Sequence, residues 1–217
     1  MLRKPQIALA ITFMVCIVAS VSFLSYIYIS EILQQEITNA SETAAELTSQ
    51  LARLAIIAAP ESTSEQNPEV VRRAIAHDDN LNAMLESLVG TFRYVSDASI
   101  VGANGKIILH TDPDLIGELI SERPDIQLLE NAHFRQQLRM VYNPPTVYEA
   151  RMPLQLKGAP FGSVRLGINT MFLRSELTPR LRHAVMFSGI TILLSLLLAT
   201  GLSYIALGHP SVARERK

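Results

Sequence analysis

The chain has 217 residues, 19 basic and 20 acidic, with a formal net charge of −1 and 48% hydrophobic residues. That balance gives no support to nucleic-acid binding, and one cysteine excludes a disulfide framework. The apolar excess is concentrated in two uncharged runs, Ile7–Ile29 and Ala184–Leu207.

Each run is roughly 23 residues, ~35 Å as a helix, enough to cross a bilayer core of ~30 Å. Both read as transmembrane helices, over 7–29 and 184–207. The first could instead be a signal peptide, with Arg3 and Lys4 ahead of it and a small-residue site at Val18–Ser20. Its apolar run continues well past the ~7–15 residues of a signal core, which favours an uncleaved anchor. Arg3 and Lys4 before the first span, and Arg214, Arg216 and Lys217 after the second, orient residues 1–6 and 208–217 to the cytoplasm. Arg174, Arg180 and Arg182 stand against this, but the intervening segment is long enough to translocate regardless of charge. The expected location is thus a cell membrane, with residues 30–183 on its outer side. That segment carries about 14 basic and about 19 acidic residues. Cys16 lies in the first span, so the outer segment has no thiol.

From Ser30 to Ala59 there is no Gly or Pro. Leu33, Ile37, Ala40, Ala44, Leu47, Leu51, Leu54 and Ala58 alternate steps of four and three, a heptad seam. The long helix either packs this seam on its own sheet or pairs it with a second copy in a homodimer. Pro60 ends it, and Pro60–Pro68 reads as a polar loop with Asn67 capping a helix that starts at Pro68. That helix runs to about His77. A second, from Asp79 to Val89, carries Leu81, Met84, Leu85 and Leu88 on one face, with Asp78 as cap and Gly90 as stop.

Strands follow. Arg93–Val101 is β-branched and aromatic, Asn104-Gly105 is a hairpin signal, and Ile107–Thr111 returns. Asp112-Pro113-Asp114 reads as a turn rather than a metal site. Pro124–Met140 reads as one short helix, with His133 and Glu130 as a surface pair. Pro144–Gly158 and Phe161–Asn169 form a second hairpin, Val164, Leu166 and Ile168 pointing inward and Ser163, Arg165 and Gly167 to the other face. A linker helix then enters the second span. The expected fold is α+β, an antiparallel sheet flanked by helices.

The wording "VGANGKIILHTDPDLIGE" and then "EARMPLQLKGAPFGSVRLGI", between two spans, resembles the extracytoplasmic PAS-like sensor domains called CACHE domains. The likeness covers Tyr94 to Ile168. It implies a PAS-like antiparallel sheet with a long N-terminal helix, flanked by two transmembrane helices. It also implies the input module of a bacterial receptor, such as a two-component sensor histidine kinase or a chemoreceptor. The implied partners are a small ligand, in one branch of the family an organic acid, the membrane, and a cytoplasmic signalling partner. The tail "GHPSVARERK" somewhat resembles the start of a HAMP linker. In the carboxylate-sensing branch a histidine and an arginine contact the ligand. His110 and Arg151 stand at those positions, although Thr111 and Met152 depart from the usual neighbours.

On residue chemistry, His110 can donate to a carboxylate and Arg151 can clamp one bidentately. Tyr94, Tyr148, Arg165 and Arg93 are further candidates. An inward Arg151 would require an anionic partner, and an outward one would face solvent. No zinc spacing, G-x-S-x-G, phosphate loop or H-E-x-x-H occurs, so no cofactor, metal or catalytic constellation is expected. The other reading, from a different class, is a membrane-anchored accessory protein whose outer domain binds another protein.

Overall fold

The structure is a computed structural model that describes residues 4–59, 68–156 and 158–208. The chain divides into two compact units, Met1–Ile32 with Thr178–Lys217, and Leu33–Leu177.

The first unit holds the N-terminal part of α1 (Lys4–Ala58) and the C-terminal part of α6 (Thr170–Gly208). Both helices are long and apolar enough to cross a membrane. Phe13, Phe23 and Leu24 on one, and Phe187, Leu197 and Leu198 on the other, are each at least 61% exposed. A soluble fold rarely leaves such a surface uncovered. The hydroxyls of Ser25 and Ser188 join the two helices at 2.7 Å.

The second unit is α+β. After α1 come α2 (Pro68–Ala76), α3 (Asp79–Thr91), β1 (Val95–Gly102), β2 (Ile107–His110), α4 (Ile126–Glu130), α5 (Phe134–Tyr142), β3 (Val147–Leu156) and β4 (Ala159–Asn169). The start of α6 closes the unit with Leu173 and Leu177 buried. The sheet is antiparallel throughout, in the order β2-β1-β4-β3. The two expected hairpins sit side by side, and β2 and β3 are its edges. Gly105 (φ 77°) and Gly158 (φ 83°) turn the hairpins through backbone space that favours glycine.

The seam of α1 is spent on the fold's own core. Leu33, Ile37, Ala40, Ala44, Leu47 and Leu51 are all buried. Beyond Leu51 the buried face departs from the heptad count: Leu54 and Ala58 are half-exposed, while Ala52, Ala55 and Ala59 are buried. A straight helix turns every 3.6 residues, so a seven-residue count slips about 20° per heptad, and the core follows the helix. The apolar sheet face carries Ala98, Ile100, Ala150, Leu154, Val164, Leu166 and Ile168, all buried.

Other expectations need correction. Gly90 does not stop α3, which runs to Thr91; Phe92 caps it by donating its N–H to the Leu88 carbonyl at 3.0 Å. The Asp78 cap is present, accepting from the Leu81 amide at 2.9 Å. Arg93 and Tyr94 lie in the turn after the Phe92 cap, so the strand begins at Val95. The helix expected over Pro124–Met140 is two helices, α4 and α5. Asp125 caps the first through the Gln127 amide, and His133 is the N-terminal flank of the second rather than a helical partner of Glu130. The Pro60 and Asn67 expectations fall outside the described residues. Asp112 makes the expected turn, accepting from the Asp114 amide at 3.1 Å ahead of a short 3-10 helix, Pro113–Leu115.

Candidate functional site: a polar row across the sheet

Strand alternation gives the sheet a second face, and the register sorts its side chains into rows. His110 stands beside Ser99, Ser99 beside Arg165, and Arg165 beside Arg151. The row therefore crosses all four strands. The next row places Asp97, Gly167 and Glu149 side by side.

Asp97 reaches this face through a β-bulge. Val95 pairs with Ile168 and Asp97 with Gly167, so Ser96 is the extra residue. Without it, Val95 and Asp97 would share a face, since side chains alternate with period two. With it, Val95 enters the core at 2% exposure and Asp97 joins the polar face.

A strap roofs this face. Residues Gly117 and Glu118 pair with the free edge of β2 through Ile107, at 2.9 Å in each direction. The Glu149 amide on the free edge of β3 donates to the Pro124 carbonyl at 2.8 Å. The chain between must pass from one edge to the other, three interstrand gaps of about 4.8 Å each. About five extended residues cover that distance. The strap crosses on the polar side, because its Arg123 donates to Asp97 at 2.6 Å. Gly167 makes room for it: a Cβ there would stand 2.8 Å from Arg123 Nη1 and closer still to Asp97 Oδ2.

Glu149 is the centre of charge. Its side chain is 2% exposed. Arg151 donates to it from Nε at 3.0 Å and from Nη2, and Arg165 Nη1 lies 3.4 and 3.5 Å from its two oxygens. Arg151 is half-exposed, whereas Arg165 is 14% exposed and also donates from Nε to Ser163 Oγ at 3.2 Å. His110 accepts the Asp112 amide at Nδ1, 2.8 Å away, which puts the proton of a neutral ring on Nε2. That Nε2–H faces Asp97 Oδ1 from 3.8 Å, beyond hydrogen-bond reach. Ser99 Oγ is buried and has no hydrogen-bond partner.

Of the five site residues expected, His110, Arg165 and Arg151 come together in one row. Arg151 meets its anion inside the chain, in Glu149. Tyr148 does not join them. It pairs with Ile168 on the apolar face at 5% exposure, where burial raises its hydroxyl pKa above the ordinary value of 10. Tyr94 sits in the turn, its ring 6.4 Å from Phe92. Arg93 is exposed and paired with Glu176 at 2.9 Å. Glu149, Asp97, Ser99 and Arg123 were missed.

The face holds three guanidiniums (Arg123, Arg151, Arg165) against two carboxylates (Asp97, Glu149), 3 − 2 = +1 from these five side chains. Together with the unspent donors of Ser99 and His110, it is suited to hold a small anion. Among the described residues, surface clefts also lie near the hairpin tips and α2. One, of about 290 Å³, is lined by Val71, Ile108, Leu156 and Phe161 among others, and none of the polar row lines it.

No protein-family model matches the chain. No curated protein matches it either. Among solved structures, the chain is similar to an extracellular ligand binding receptor from Desulfohalobium retbaense DSM5692. Identity is 20% and the TM-score 0.36, over 70% of this chain. The chain spans 27% of that receptor's length. A likeness that weak carries neither fold nor function.

Proposed function

We propose that this chain is the sensory input module of a bacterial transmembrane receptor of the CACHE kind, whose polar sheet face binds a small organic acid outside the cell membrane. The observation that carries this reading is the row His110–Ser99–Arg165–Arg151, with one uncompensated positive charge, in a unit whose first and last helices continue into two apolar segments. The resemblance of the two hairpins to CACHE sequences supports it. On this reading both termini are cytoplasmic, two copies assemble in the membrane, and the output passes to a signalling region of the two-component histidine-kinase kind. Anion binding would bias the strap and the sheet between two packed arrangements, which the helices carry onward. On this reading the module's role is to bind, its polar face pairing its own carboxylates with guanidiniums.

The test is thermal melting of the full chain in detergent against a panel of small organic acids. An acid at ~100 times its dissociation constant adds ~2.7 kcal/mol. In a unit of this size that raises the midpoint by roughly 5–10 °C. No shift with any acid would sink the reading.

A further inference from the structure

The anion site is already occupied by the chain itself. Glu149 is nearly inaccessible, yet it faces two guanidiniums on its own hairpin. Its hold on them is unequal. The Arg151 contacts are tight, whereas Arg165 stands at 3.4 and 3.5 Å, longer than the ~2.7–2.9 Å of a well-made charge-assisted bond. Next to Arg165, directly across β1, is Ser99, whose buried hydroxyl is unpartnered. Buried polar groups are rarely left so, and a side chain directly opposite lies only ~5 Å away at Cβ.

The geometry points to Glu149 as a built-in competitor for the ligand. This rests on the reading of the polar face as a carboxylate site. Without ligand, the Glu149 carboxylate occupies Arg151 and Arg165. An incoming carboxylate draws Arg165 away from Glu149 and towards Ser99, whose hydroxyl donates to it. Glu149 thereby sets the threshold concentration: the apparent affinity is the intrinsic affinity reduced by the fraction of time Arg165 is free. The ligand class that fits is a small monoanion, since one negative charge balances the face.

The experiment titrates acetate, propionate and succinate separately into the full chain in detergent by calorimetry. Glu149→Gln is expected to bind acetate or propionate about tenfold or more tightly than the unsubstituted chain. Glu122→Gln, which removes the same charge from the exposed strap, changes affinity by less than about twofold, as a screened surface charge should. Glu149→Asp, which keeps the charge but shortens the reach to both arginines, gives an intermediate gain and stands in should Glu149→Gln fail to fold. If the unsubstituted chain binds an acid and Glu149→Gln binds it no better, the competitor is overturned and the carboxylate reading survives. A gain in Glu122→Gln equal to that in Glu149→Gln also overturns it, since general electrostatics then accounts for both. If neither the unsubstituted chain nor Glu149→Gln binds any acid, the carboxylate reading falls and the competitor with it.

Discussion

Gly162→Ala is expected to lower the stability of the Leu33–Leu177 unit by about 3 kcal/mol or more, among the largest losses from adding one methyl group. Gly162 pairs with Gly102 of β1 on one side and Leu154 of β3 on the other. A Cβ built on it lands inside the Val101 carbonyl oxygen and 3.0 Å from the Gly102 Cα. Both are backbone atoms of the neighbouring strand, so no rotamer change relieves the collision. The strands must part, and the Ala103 amide bond to the Phe161 carbonyl, 2.8 Å, is first in line to go. Gly90→Ala is the matched control with the opposite sign. Gly90 sits inside α3, and a Cβ there meets nothing within 4 Å. The substitution removes only the backbone entropy that glycine loses in a helix, so it stabilises by about 0.5–1 kcal/mol. Thermal melting followed by circular dichroism should separate the two variants by roughly 7 °C or more, at ~2–4 °C per kcal/mol. Equal melting temperatures would mean that the strands are not pinched at Gly162.

The two glycines also mark what sequence could and could not reveal. Hairpins and long helices were legible because each signal is local: Asn104-Gly105 needs only its own turn, and the Gly-free run to Ala59 needs only its own helix. Gly90 misled because glycine ends a helix only where the chain must turn left-handed, and here Phe92 caps the helix without that turn. The polar row was partly legible. His110, Arg151 and Arg165 were found from chemistry and resemblance, but Tyr148 was placed with them against the count of two. Residues 147, 149 and 151 share a face, and 148 does not, so Glu149 was within reach of alternation alone. Asp97 was not, since one bulge at Ser96 inverts its face, and a bulge has no signature in "VSDAS". Arg123 lies in a strap without period, and only its crossing between two sheet edges brings it to Asp97. Ser99 carries meaning only from the register that sets it between His110 and Arg165.

Arg165 and Glu149 give the second large effect, and it separates stability from binding. Arg165→Leu leaves Glu149 buried, with the half-exposed Arg151 as its remaining cation. Removing one partner of a buried pair costs about 3–5 kcal/mol, because the other charge stays desolvated. Arg151→Leu should cost less, since its guanidinium is half-exposed and the better-buried Arg165 still faces Glu149. The order Arg165 well above Arg151 is therefore the expected result, even though the Arg151 contacts are the shorter ones. Burial decides, not distance. The double variant Arg165→Leu with Glu149→Leu then recovers most of the loss, because two apolar side chains replace two desolvated charges. Its melting temperature should approach that of the unsubstituted chain, while the organic-acid response expected on the proposed reading is lost. A double variant no more stable than Arg165→Leu alone would show that the pair is not the buried, coupled unit described above. One that melts normally and still responds to acids would move the anion away from this row.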